Sequence, residues 1–265
     1  MIRLAVVIWL AFGSAAFAET MRLAVTTSFH NSGLSDVLLP AIKEDIDLEV
    51  QLLVVGTGQA LRLGRAGDVD AILVHSKAVE DAFVAEGFAP YRREIMYNDF
   101  VLIGPETDPA QLKQAMSASD ALTRIASAKA SFVSRGDESG THKKELALWD
   151  VAALDVEAFD PWYKAVGAGM GASLNTASAM GAYILADRAS WLNFGNKTGL
   201  ALLYAGDPVL FNQYAYLPVN PAKHPHVNAD AAQRLEAWLV SQKAADLIDS
   251  YTINGEQLFT FNAMD

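Results

Sequence analysis

Short apolar runs alternate with helical patterns from Arg22 onward, and that alternation constrains the fold more than any other feature of the chain. Arg22 to Thr26 reads as a strand and Leu34 to Ile42 as a helix. Leu48 to Val54 is the next strand, Gln59 to Arg65 a short helix, Ala71 to Val74 a strand, and Ala78 to Glu86 a helix. A β-α-β-α-β order needs crossover connections, so it predicts a parallel sheet with helices on both faces. Val101 to Gly104 then meets Pro105 and a polar turn, which reads as a connection into a second unit. There the pattern predicts helical stretches near 110–129, a strand over 131–134, a helix over 141–149 and another over about 172–186. An apolar run, Leu200 to Tyr204, and an extended run, Phe211 to Val219, precede two closing helices near 229–240 and 242–249. The 265 residues are 52% apolar, enough for one large or two small domains around a sizeable core.

The N-terminus has the layout of an export signal. Met1-Ile2-Arg3 is a positive start, Leu4 to Phe12 an apolar stretch, and Ala16-Phe17-Ala18 a small-residue cleavage site that leaves Glu19 first in the mature chain. The apolar segment is about 14 residues long, short of the roughly 20 that a spanning helix needs. There is no cysteine. Disulfides, thiolate metal sites, cysteine nucleophiles and lipidation at a signal cysteine are thereby excluded. An exported, unlipidated, soluble chain fits a Gram-negative periplasm. The net charge of −11 disfavours nucleic acid and anionic membranes as partners. It also means that any bound anion must be held by local donors against an unfavourable overall field.

Such donors recur at three seams where a strand runs into a helix. Thr26-Thr27-Ser28 leads to Asn31-Ser32-Gly33, Gly56-Thr57-Gly58 follows a strand, and Phe132-Val133-Ser134 runs into Arg135-Gly136-Asp137-Glu138-Ser139-Gly140-Thr141. Ligands of open α/β sheets sit beyond the carboxyl ends of the strands, where helix N-termini present unpaired N–H groups. Each seam alone reads as an N-cap or a tight turn. Three in one α/β chain argue for a shared anion site. Arg135 supplies a planar, permanently charged fork, with a surface pair to Asp137 or Glu138 as its plainer role.

Catalytic and metal patterns are weaker. Ser139 and His142 lack a G-x-S-x-G elbow. Leu61 stands where a dinucleotide motif starting at Gly56 needs its third glycine, and Gly195-Asn196-Lys197-Thr198 lacks phosphate-loop spacing. His224-Pro225-His226 has no third ligand in view and reads as a surface loop. Asp68 and Asp70 read as capping or solvated groups at a strand start. His75, at a strand end, is the histidine placed to neighbour a site.

Taken in order, the motifs resemble one family, the tungstate-binding solute receptors (TupA type) of bacterial ABC importers. The marks are "TTS" at 26–28 with "NSGL" at 31–34, "VGTGQAL" at 55–61, "YNDFVLIGP" at 97–105, "FVSRGDESGTHKKELALW" at 132–149, "GMGASLNTAS" at 169–178 and "NPAKHP" at 220–225. The resemblance covers essentially the whole mature chain. It implies a type II periplasmic-binding-protein fold, two α/β lobes joined by hinge strands with a ligand cleft between them. The signal would occupy 1–18, lobe 1 would combine 19–100 with 212–265, and lobe 2 would span 101–211. Asn98 to Pro105 and about Asn212 to Val219 become hinge strands, and the C-terminal helices return to lobe 1.

The resemblance also implies the site. Thr27, Ser28, Thr57 and Gly58 would face the oxyanion from one lobe. Arg135, Ser139, Gly140 and Thr141, with the turn from Ser173 to Thr176, would face it from the other. This chain departs from the family in three places. Val25 replaces the first residue of a Thr-Thr-Thr-Ser run and should point into the sheet. Ala168 stands where the family has glutamine, and Ser173 where it has threonine. The expected ligand is tungstate, with molybdate close behind, the expected partner the membrane subunits of an ABC permease, and the expected state a monomer without cofactor. The alternatives are a receptor for molybdate, sulfate or phosphate, and a hydrolase on a similar bilobal fold working through Ser139 or His142.

Overall fold

The computed structural model describes residues 19–263 apart from Glu138 and Asp160, so the expected export signal over 1–18 lies outside the described residues. β1 (Glu19–Thr26), β2 (Leu48–Val55) and β3 (Ala71–Val74) are parallel, in the order β2-β1-β3. Each strand feeds a helix, α1 (Thr27–Asn31) with α2 (Leu34–Ile46), then α3 (Thr57–Ala66), then α4 (Lys77–Ala85). β3 is apolar and buried throughout because both of its faces are covered, whereas the edge strand β2 exposes Glu49 and Gln51. Leu23 and Val25 of β1 and Leu73 of β3 face one core, while Ala24, Ile72 and Val74 face another with Ala60, Leu61 and Phe83. Val25 is fully buried, as expected of its inward position.

The parallel pairing expected of these three strands holds, and antiparallel strands extend the sheet beyond them. β4 (Arg93–Pro105) and β9 (Phe211–Pro218) pair antiparallel, and β9 also runs antiparallel to β3. The second sheet contains β5 (Phe132–Ser134), β6 (Tyr163–Ala165), β7 (Tyr183–Asp187) and β8 (Leu200–Tyr204). There β5 runs parallel to β6 and β7, while β7 and β8 pair antiparallel with β4. Its helices are α5 (Ala118–Ala128), α6 (Gly140–Val151), α7 (Met170–Met180) and α8 (Arg188–Asn193). Phe100, Leu102, Phe132, Trp149, Tyr183 and Leu185 belong to one core against this sheet.

The helix expected over 172–186 is two elements. α7 ends at Met180 because Gly181 adopts φ +58°, and the following apolar run enters the sheet as β7 with every residue buried. The stretch expected to be helical near 110–129 opens with a 3-10 turn at Leu112–Gln114, and α5 begins only after Ser117, whose hydroxyl caps Asp120 N–H.

β4 belongs to both sheets. It pairs with β9 as far as Asp99, opposite Phe211, and with β7 from Phe100, opposite Asp187. At this crossing Asn212 Nδ2 donates to Asn98 Oδ1 at 2.8 Å, and Arg188 grips Asp99 with two contacts of 2.6 Å. The chain then returns to the first sheet. α9 (Ala229–Leu239) accepts from Tyr216 Oη through Ala232 O at 2.9 Å, and its Trp238 Nε1 donates to Asp45 of α2 at 2.8 Å. α10 (Gln242–Asp249) adds Lys243, 2.6 Å from the same aspartate. Two short strands, β10 (Thr252–Ile253) and β11 (Glu256–Gln257), form a hairpin, and β12 (Thr260–Phe261) pairs with β4.

Candidate functional site

Strand register gathers the first-lobe residues. Thr26 lies opposite Val55, so the seams after β1 and β2 emerge side by side, one giving Thr27 and Ser28 and the other Gly56, Thr57 and Gly58. Thr26 Oγ1 accepts the Phe29 N–H at 3.2 Å and so caps α1. Gly56 precedes α3 with no side-chain cap, which leaves the first N–H groups of that helix without an intrahelical partner. On the other flank β3 ends at Val74, opposite Ala215 of β9, and the next step of that antiparallel register sets His75 against Tyr214.

The contacts follow. Ser28 Oγ lies 3.0 Å from Thr26 Oγ1, 3.0 Å from His75 Nε2 and 3.3 Å from Tyr214 Oη. The His75 and Tyr214 rings are 4.7 Å apart. Burial drives the His75 imidazole down to about 4, against the opposing effects of the Asn212 side chain and the Asp187 charge. The ring is therefore neutral at neutral pH.

In the second lobe β5 ends at Ser134, and Arg135 begins the turn into α6. Gly136 adopts φ +59° with Ala165 so close that a Cβ would come within 2.8 Å of the alanine methyl. Ala168 N–H donates to Arg135 O at 3.1 Å, which ties the turn before α7 to the arginine's own backbone. Arg135 pairs through Nη2 with Asp137, reaches Thr141 Oγ1 from Nη1 at 3.4 Å, and has a buried Nε with no acceptor among the described residues. Asp137 Oδ1 also accepts the Ser139 N–H at 3.2 Å. Burial works to raise the Asp137 carboxyl, but hydrogen bonds from Ser139 and Arg135 outweigh it and hold the group below the ordinary range. The plainer role foreseen for Arg135, a pair with Asp137, is thus present, though with a guanidinium that is mostly buried.

Ser139 caps α6 by accepting the His142 N–H at 3.3 Å, so its hydroxyl serves the helix start. Thr141 is buried in the first turn. One turn further on, Glu145 accepts from Tyr163 Oη at 2.7 Å and Trp149 Nε1 at 3.2 Å, and burial pushes its carboxyl up to about 7. The stretch 173–176, expected as a turn, lies inside α7, and its hydroxyls bond to nearby backbone carbonyls. Ser173 Oγ donates to Ala168 O and Gly169 O, both at 3.1 Å, and Thr176 Oγ1 donates to Ala172 O at 3.0 Å.

The two clusters approach each other at the start of α6. A Cβ placed on Gly140 would stand 3.6 Å from His75 Cε1, so the start of α6 abuts the histidine that holds Ser28. His75, Tyr214 and Asn212 thus join the site. The strand-end position marked His75 in the sequence, whereas Tyr214 and Asn212 sit in an extended run with no local punctuation. The other histidine pair serves structure, with His226 Nε2 2.9 Å from Gly67 O, and no group of three metal-ligating side chains gathers among the described residues.

Residues 13–243 match the model of the PBP superfamily domain. The chain is 46% identical over 245 residues to the tungstate-binding protein TupA of Peptoclostridium acidaminophilum, covering 91% of this chain and 85% of that one. The tungstate-binding protein TupA from Desulfovibrio alaskensis G20, a solved structure, aligns with a TM-score of 0.90 at 42% identity over 93% of this chain and 100% of its own. This chain belongs to the TupA family. A structure of the tungstate ABC transporter from Geobacter sulfurreducens aligns with a TM-score of 0.77 at 44% identity, covering 88% of this chain and 99% of its own. Membership fixes the architecture as a type II periplasmic-binding fold. Ala168 meets Arg135 through its backbone N–H, and the Ser173 hydroxyl bonds to the backbone just before α7.

Proposed function

We propose that this TupA-family chain is the extracytoplasmic receptor of an ABC importer and that it captures tungstate between its lobes for delivery to the membrane permease. The observation that carries this reading is the approach of Gly140 to His75, which sets the Ser28 cluster against the N-terminus of α6 and the Arg135 turn. Thr27, Ser28, Thr57 and Gly58 face the anion from a lobe formed by 19–100 and 212–265. Arg135, Ser139, Gly140 and Thr141 face it from a lobe formed by 101–211. Ser173 and Thr176 shape the α7 side, their protons being committed to backbone carbonyls at and before the helix start. Residues 1–18 direct export and are cleaved, and the mature receptor works as a periplasmic monomer without a cofactor.

Neutral N–H and O–H donors around one arginine suit a fully deprotonated dianion, whereas hydrogen phosphate would need an acceptor. Cavity size separates tungstate from sulfate, and the names of the relatives favour tungstate over molybdate. A hydrolase reading has one feature in its favour, the Ser28–His75 pair at 3.0 Å. Against it, an amide, Asn212, stands where a triad places a carboxylate, and two further hydroxyls crowd Ser28. The direct test is elemental analysis of protein purified from tungstate-supplemented medium. About one tungsten per chain is expected, and its repeated absence would overturn the proposal.

A further inference from the structure

With 31 acidic residues against 20 lysines and arginines, the overall field of the chain repels a dianion on approach, so the place of an unmatched cation matters. Around the first sheet, cations are commonly matched by carboxylates. Arg65 pairs with Glu86, Lys77 with Asp81 and Arg92 with Glu80. Arg62 has no carboxylate partner among the described residues. Its Nε donates to the neutral Gln59 Oε1 at 2.9 Å, and no hydrogen bond engages either Nη group. Arg62 stands on the exposed side of α3, four residues after the equally exposed Gly58, while Ala60, Leu61 and Gly64 turn into the core. Helical side chains lean towards the N-terminus of their helix, which carries this guanidinium back to the seam between β2 and α3. A Cβ placed on Gly58 would stand 3.7 Å from Arg62 Nη1. The start of α3, with no side-chain cap, adds a partial positive charge at the same place.

We propose that Arg62 is a capture residue. Its unmatched charge, at the rim of the seam that carries Thr57 and Gly58, draws tetrahedral dianions to that seam and so raises their rate of association, acting through its field rather than by gripping the bound ligand. The inference rests on the oxyanion-receptor reading above and adds to it the side by which the anion enters. The settings of the two arginines separate their roles. Arg135 is mostly buried, is paired with Asp137, and reaches Thr141 from a second nitrogen, so its fork is held in one orientation. Directed hydrogen bonds from such a group depend on the planar shape of the guanidinium. Arg62 is exposed and tied by one neutral contact within its own helix turn. A charge so placed acts over a distance in water, and dissolved salt screens it. Rim charges of this kind set the association rate and its salt dependence more than the lifetime of the complex. Capture at α3 also suits a chain of net charge −11, because the attraction is needed most while the anion is still outside the site.

Calorimetry with tungstate on the mature full-length chain tests this, at about 10 mM and about 0.5 M sodium chloride, where charges are screened beyond roughly 30 Å and 4 Å respectively. Arg62→Gln should bind about three- to tenfold more weakly than wild type at the low salt and within about 1.5-fold of it at the high salt. Arg62→Lys should stay within about twofold of wild type at both, because a field needs the charge and not the fork. Stopped-flow mixing with tungstate, followed by tryptophan emission, should place the low-salt loss of Arg62→Gln in the association rate. Equal affinity of wild type and Arg62→Gln at low salt would overturn the inference. So would a loss that persists at high salt, that lysine does not restore, or that lies in the dissociation rate, since each would make Arg62 a direct ligand of the bound anion. Absence of tungstate binding by wild type would instead count against the receptor reading itself.

Discussion

Arg135 is the one side chain in the site whose charge favours an anion, and its setting shows how a chain of net charge −11 can hold one. Its carboxylate partner, Asp137, lies two residues along the same turn, and the guanidinium keeps a buried Nε unmatched by any acceptor among the described residues. Replacing it with alanine removes a charge-assisted contact inside a desolvated cleft and should weaken tungstate binding by about 2–4 kcal/mol, roughly thirty- to a thousand-fold in dissociation constant. Arg135→Lys should recover only part of this, because an ammonium cannot reproduce the planar fork. Calorimetry on both variants reads the effect, and wild-type affinity in Arg135→Ala would reduce the residue to a partner for Asp137. The sequence made this arginine legible because it stands at a strand end, ahead of two glycines and two small hydroxyls that open a helix. It left the Ser28 cluster half legible, since Tyr214 enters it through antiparallel pairing between segments more than a hundred residues apart in the chain.

At the scale of elements, α6 joins the site to the second-lobe core. Its first turn holds Ser139, Gly140 and Thr141, and its next turn buries Glu145 against Trp149 and Tyr163. The Glu145 carboxyl is raised from an ordinary 4.5 to about 7 by burial, so the folded state holds a proton that the unfolded chain releases near 4.5. Stability from this group is full below the lower value and falls as pH rises through the higher one, by up to about 3 kcal/mol. Chemical denaturation of Glu145→Gln between pH 5 and 8 should show a flatter profile than wild type and greater stability at the alkaline end. Coincident profiles would show that Glu145 ionises freely. The elements themselves were unequally readable. β3 matched its apolar run because parallel strands buried on both faces have little else in their sequence. The stretch from 172 to 186 misled because Ala182 to Ala186 carries no period that separates a buried strand from a buried helix, and the break depends on the left-handed turn at Gly181. The start of β4, Arg93 to Tyr97, was missed because Arg93 and Glu94 interrupt its apolar pattern, and these two pair with Glu236 of α9 and with Arg92.

At the scale of the molecule, one strand is shared by two sheets, and the proposed site draws its groups from the ends of strands in both. Thr27 and Ser28 on one side and Arg135 and Thr141 on the other cannot surround a tetrahedral anion separately. A ligand shifts such an equilibrium only by binding the closed form more tightly than the open one. Tungstate should therefore stabilise the protein, by about 4 kcal/mol at roughly a thousand times its dissociation constant. Thr27→Ala and Thr141→Ala should each reduce the effect although they lie on opposite lobes. Stabilisation alone would follow from any binding site, so the decisive measurement is small-angle X-ray scattering of the mature chain with and without saturating tungstate. A smaller radius of gyration with tungstate, diminished in both threonine variants, is the expected result. Tungstate that stabilises the protein but leaves its scattering profile unchanged would contradict the two-lobe clamp and place the anion on a rigid surface site.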